Sequence, residues 1–132
     1  MRSFLRPGGE ILLSFAEPWY SHSGSHIGGY ARIPGTNKAV PWVNLFFSDR
    51  ALLALRAKFR PDHPAHLEDI EGGLNKMTLA KFRRIVRNSG LIVRDLRYFP
   101  TLGLPLVSRI PVIRELLTSA VSCTLTVPFE TK

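Results

Sequence analysis

The chain is short of cysteine, of acidic residues and of long apolar runs, and each shortage excludes something. A single cysteine, Cys123, leaves no internal disulfide and no zinc site built on cysteine clusters. It stands in an alternating apolar pattern and reads as a buried free thiol. No apolar stretch approaches the ~18 residues that a membrane-crossing helix needs. The opening residues break at Pro7-Gly8-Gly9 before any core of signal-peptide length, so the expected compartment is the cytoplasm. Acids are outnumbered, 10 against 18 Lys and Arg, for a net charge of +8. That surplus suits nucleic acid or an anionic membrane surface, or one part of a larger, charge-balanced protein.

What is present is ordinary globular composition: 132 residues, 45% hydrophobic and 21% charged, one domain's worth of chain. Leu5-Arg6-Pro7-Gly8-Gly9 reads as a turn. Glu10 to Ala16 follows as a short, nearly continuous apolar run, the pattern of a strand buried on both faces. Glu17-Pro18 ends it. Residues 19–47 carry glycines, histidines and six aromatics without a period, and a connection this long inside a compact domain is usually functional. Ser48 reads as the N-cap of a helix closed by Pro61, and a second polar loop over 61–77 follows.

Thr78 caps the clearest helix. Leu79, Phe82, Ile85 and Val86 form its apolar stripe, Lys81, Arg83, Arg84 and Arg87 its opposite face, and Gly90 its end. A strand from Leu91 to about Phe99 comes next. A short helix from Pro111 to about Thr118 and a strand with Val121, Cys123, Leu125, Val127 and Phe129 on one face complete the chain.

Three segments carry a resemblance. Leu5 to Leu13 resembles the Pro-Gly-Gly entry into the fifth strand of class I S-adenosylmethionine (SAM)-dependent methyltransferases. Thr78 to Leu91 resembles their last helix with the glycine before the sixth strand. Ser122 to Phe129 resembles their seventh strand, inserted antiparallel beside the fifth. The resemblance implies an α/β fold: the carboxy-terminal half of a Rossmann-like domain of the methyltransferase type 11 kind, with a mixed sheet whose last strand is antiparallel. Residues 1–132 would form that half, with a substrate-side insert at about 17–77. It also implies methyl transfer from SAM to a small, apolar-bodied acceptor. The glycine loop and the acidic ribose partner of the family have no counterpart here, since Gly24-Ser25-His26-Ile27-Gly28-Gly29 does not join a strand to a helix. No residue is therefore assigned to the cofactor. SAM belongs to the complete parent domain, and the chain alone is expected to be inactive. The missing half, or self-association, would cover the sheet.

The family's loop after the fifth strand lies over the substrate, which places Trp19, Tyr20, Tyr30, Trp42, Phe46 and Phe47 as acceptor-pocket residues. Trp42, Phe46 and Phe47 are expected to close over the mouth as an apolar lid. His22 and His26 are the candidate proton acceptors. The pairs His22/His26 and His63/His66 lie in loops, and no metal site is expected from them. The apolar clusters Pro41–Phe47 and Tyr98–Val107 are candidates for pocket capping, for peripheral membrane contact, or for packing on the missing half. The basic residues Lys76, Lys81, Arg83, Arg84, Arg87, Arg94 and Arg97 read as a solvated face rather than a nucleic-acid patch, since no aromatic stands among the helical ones to stack a base. The alternative is a small basic, non-enzymatic α/β module that binds nucleic acid or a partner subunit.

Overall fold

The computed structural model describes residues 5–27, 29–70, 75–101, 110–111 and 113–128. Expectations placed on 102–107, Gly72-Gly73, Val112 and Phe129 lie outside them. Within the described residues the chain is α/β. Strands β1 (Glu10–Ala16), β2 (Ile92–Pro100) and β3 (Thr118–Thr126) form one sheet in the order β1-β3-β2, and helices α1 (Val43–Phe46), α2 (Asp49–Ala57) and α3 (Leu79–Asn88) accompany it.

Both pairings are antiparallel, with Leu13 opposite Cys123 and Cys123 opposite Leu96. The last strand therefore runs antiparallel, as expected, but the sheet is not mixed among the described residues. β3 separates β1 from β2, so the two strands that share a direction never touch. The turn at Pro7-Gly8-Gly9 sets the register. Gly8 has φ 75°, and backbone bonds of 3.1 Å join Gly8 N–H to Val127 C=O and Val127 N–H to Gly9 C=O.

β1 is not buried on both faces. Ile11, Leu13 and Phe15 turn inward, while Leu12 on the opposite face is 76% exposed. The reason is that α3 covers only one face of the sheet. Thr78 caps that helix by accepting from Lys81 N–H at 3.0 Å, and Gly90 ends it with φ 67°. Its Leu79, Phe82 and Val86 pack on Val121, Cys123 and Leu125, and Phe15 meets Phe82 with ring centroids 5.1 Å apart. Burial of this order stabilises by about 1.5–3 kcal/mol per large side chain. Cys123 is free and buried, and burial pushes its thiol up, with Asp95 adding to the shift, which disfavours the nucleophilic thiolate.

The expected helix over Pro111–Thr118 is a set of hydrogen-bonded turns over 113–117 instead. Leu117 N–H reaches Ile113 C=O at 3.2 Å, but Thr118 already belongs to β3 opposite Pro100, which halts any helix.

The insert has a core of its own. Trp19, Ile27, Val43, Leu52 and Leu67 are buried together, with Tyr30, Val40 and Ile70 packed around them. α2 contributes Leu52 from the helix that Ser48 caps, its hydroxyl accepting from Ala51 N–H at 3.3 Å. Arg56, on the same helix, pairs with Asp62 at 2.6 Å, and this guanidinium holds the Asp62 carboxyl below the usual carboxylate range.

Candidate functional site

β1 delivers the chain to the site. Glu17 follows its last residue, with its N–H donating to Ser119 C=O at 2.6 Å, and adopts the left-handed conformation (φ 57°). Successive turns then fold residues 18–26 back: Ser21 N–H to Pro18 C=O, Gly24 N–H to Ser21 C=O and His26 N–H to Ser23 C=O. A Cβ at Gly24 would lie 2.3 Å from the carbonyl oxygens of Pro18 and Trp19, so only glycine permits the fold-back. His26 arrives with φ 53°, and its Nδ1 stands 2.9 Å from Glu17 Oε2.

His26 lines a groove of about 720 Å³ that runs between β1 and α3. Its floor and walls are apolar: Ile11, Leu13, Phe15, Phe82, Ile85 and Val86. Gly24, Asn75, Lys76 and Met77 line it as well. Ile85, counted in sequence as part of the buried stripe, is 48% exposed because it looks into this groove. Lys76 has φ 48°, its ammonium pairs with the Asp49 carboxylate, and it lies 5.2 Å from the centroid of the Trp19 ring. Left-handed backbone is uncommon outside glycine and costs of order 1–3 kcal/mol for each residue so held. Glu17 and His26 are thus a paired, strained couple beside the groove, and its lining also includes the strained Lys76.

The other sequence-predicted residues lie elsewhere. Trp19 is buried in the insert core, and its N–H donates to Met77 C=O at 2.7 Å. Tyr20 is exposed and borders a smaller hollow of about 310 Å³ with Arg83, Arg114 and Glu115, on the other side of α3. Tyr30 stacks on Phe59 (centroids 5.1 Å, 14° between planes), and its hydroxyl accepts from Arg60 Nε at 3.0 Å. Trp42 has φ 53°, meets the His22 ring edge-on at 6.4 Å, and donates from Nε1 to Leu116 C=O at 3.3 Å, tying the insert to the segment before β3. His22 contacts Ser23 Oγ at 3.3 Å. Phe46 and Phe47 are exposed, Phe46 by 74%, and neither they nor Trp42 lie over the groove. Of the eight residues only His26 reaches the groove.

Sequence reasoning passed over Glu17, read as a strand terminator, and Lys76, read as one of a run of cations. The available signal for Glu17 was its place: an acid at the carboxyl end of an apolar strand, where ligands bind in open α/β sheets. The basic face is largely engaged. Arg83 donates to the Tyr98 hydroxyl at 2.9 Å, Arg94 pairs with Glu10 at 2.7 Å, and Arg97 pairs with Asp95 at 2.7 Å. Among the described residues no group of three or more His, Cys, Asp or Glu is placed to hold a metal, and no helix is long and apolar enough to cross a membrane. No protein-family model matches the chain, and no curated protein and no solved structure matches it.

Proposed function

We propose that this chain is the carboxy-terminal, substrate-side portion of a class I SAM-dependent methyltransferase acting on a small, apolar-bodied acceptor. The observation that carries the reading is the strand order. The final strand lies antiparallel between two strands that share a direction, as the fifth, seventh and sixth strands of that family would, and Pro7-Gly8-Gly9 leads into the first of them. The open edge of β1 supports it as well. Among the described residues no strand pairs with its outer edge, which leaves room for a further parallel strand, and Ile85 beside it is half exposed.

The described residues do not fit the methyl donor. The glycine-rich turn at Gly24 is filled by the chain's own Pro18 and Trp19 carbonyls, so it offers no cradle, and no acidic residue follows a second strand of the required kind. In the whole protein, the donor site belongs to the other half. This half contributes a place for the acceptor at the carboxyl end of β1.

Calorimetry tests the reading on two proteins: the chain alone, and the chain joined to the segment encoded in frame upstream of Met1. The expected results are no saturable SAM binding by the first and micromolar binding by the second. Saturable binding by the chain alone overturns the fragment reading. An upstream region that encodes no strand–glycine loop–helix overturns the methyltransferase reading and favours the stand-alone basic module.

A further inference from the structure

We propose that Arg83 and Arg114 form a binding site for a small organic carboxylate, in the hollow between the start of α3 and the turns before β3. The inference goes beyond the methyltransferase reading and does not rest on it. The hollow lies on the other side of α3 from the β1–α3 groove, and none of its described lining residues comes from β1.

Three segments converge there. Tyr20 comes from the fold-back after β1, Ala80 and Arg83 from the first turns of α3, and Pro111, Arg114 and Glu115 from the segment that leads into β3. They enclose about 310 Å³, room for one small ring and its charged group. The two guanidiniums share one platform, the ring of Tyr98 on β2. Arg114 Cζ lies 5.1 Å from its centroid and Arg83 Cζ 5.9 Å, both within cation–π reach. Arg83 also donates to the Tyr98 hydroxyl at 2.9 Å. The backbone beneath Arg114 is held as well, its C=O accepting from Leu117 N–H at 3.2 Å and from the Thr118 hydroxyl at 2.7 Å. A guanidinium has five N–H donors, and stacking on a ring uses its face rather than its edge.

Charge selects the ligand. Two cations on one ring repel each other, and the described lining sets a single acid, Glu115, against them. Burial raises that carboxyl above its ordinary value, against the lowering influence of Arg83, and its buried Oε1 has no hydrogen-bond partner among the described residues. The lining thus carries a surplus of one positive charge with Glu115 ionised, and of two with it protonated. A monoanion cancels the first surplus. A phosphate dianion overshoots it and meets the Glu115 carboxylate. A carboxylate is also planar, the shape that a guanidinium fork matches with two parallel bonds. Leu79, Pro111 and Leu116 offer an apolar wall to the body behind it. Tyr98 touches no ligand; it is a positioning residue.

The test uses the full chain with benzoate, with benzamide as the neutral control and phenyl phosphate as the dianion, at fixed ionic strength and slightly alkaline pH. Binding is read from NMR shifts of backbone amides and arginine side chains. Wild-type protein is expected to bind benzoate about tenfold more tightly than benzamide, and more tightly than phenyl phosphate. The shifts should fall at Tyr20, Leu79 and the Nε–H groups of Arg83 and Arg114. Arg83→Gln and Arg114→Gln should each lose the preference and keep the benzamide affinity, which also shows that the hollow is intact. Tyr98→Leu removes the platform and should weaken benzoate while leaving benzamide unchanged. Glu115→Gln removes the competing acid and should tighten benzoate several-fold, an effect that a merely structural carboxyl would not give. Arg87→Gln takes a charge from the same helix outside the hollow and should hardly change benzoate binding. A loss equal to that of Arg83→Gln would reduce the site to general surface charge and overturn the proposal. So would equal binding of benzoate and benzamide, tighter binding of phenyl phosphate, or shifts confined to the β1–α3 groove. No methyl donor enters this assay, so its failure leaves the calorimetric test of the methyltransferase reading untouched.

Discussion

In the sheet core the buried residues Val121, Cys123 and Leu125 alternate along one strand and meet Leu79, Phe82 and Val86 along one helix face. In the insert, Trp19, Ile27, Val43, Leu52 and Leu67 share no period at all. Both sets reach the same degree of burial. Regular elements bury side chains by repetition. The insert buries single residues, each from a different turn or short helix, and holds its backbone by local bonds such as Trp42 N–H to His22 C=O at 2.7 Å. The two cores meet at narrow seams: Trp19 N–H to Met77 C=O and the Trp42 indole to Leu116 C=O. The difference teaches that the insert is an organised cap rather than a tether, and that the sheet can stay folded while the insert opens.

Four measurements break or sharpen this contrast, from the largest effect to the smallest. Phe82→Ala empties the middle of the sheet core, where Phe15 packs on the ring, and should cost about 3–5 kcal/mol. In urea the cooperative transition of the whole chain is expected to collapse, because the insert has no other platform. Leu52→Ala, fully buried in the insert, should cost about 2–4 kcal/mol. Here hydrogen exchange should accelerate at the amides of residues 19–70 and stay slow in β3, whereas uniform acceleration would erase the distinction between the cores. Thr78→Ala removes the cap of α3 and should cost about 1 kcal/mol in the denaturant midpoint.

The smallest effect is electrostatic. Burial raises the Glu115 carboxyl above its ordinary value, against the lowering influence of the Leu79 and Tyr20 backbone and of Arg83. The folded state therefore holds that proton to a higher pH than the unfolded chain does. Stability falls as pH rises from the ordinary carboxylate range through the folded-state value, then levels off. Glu115→Gln should remove that slope and be slightly more stable than the wild type at neutral pH, as read from Tm against pH. An identical profile for the two proteins would mean that the carboxyl is solvated.

What could be read in advance follows the same division. α3, its Thr78 cap, its Gly90 end and the alternation of β3 are periodic features; sequence periodicity locates α3 within a residue and finds the alternation of β3, although that strand begins at Thr118, three residues before Val121. The exposure of Leu12 and Ile85 was not legible, because it depends on which neighbour covers β1, and no local pattern encodes a neighbour. The insert's core was illegible for another reason. Ile27 and Leu67 are isolated apolar residues in polar loops, and only the fold brings them together. At the site, His26 could be found by residue type. Its partner Glu17 became visible only with the left-handed turns that carry both.

The bond from Trp19 N–H to Met77 C=O has one more consequence. It brings the two ends of the insert together, so the insert is a closed loop whose interior length hardly matters to the sheet beneath. The entropy of closing such a loop grows only logarithmically with its length; doubling it adds about 0.6 kcal/mol. The exposed stretch around the Arg32–Ala39 bridge can therefore gain or lose residues at little expense in stability. A lineage carrying this fold could rework that part of the insert by insertion and deletion, while β1, Glu17 and His26 keep their places. The contact between Glu17 and His26 at the end of β1 lies outside that stretch and would stay fixed.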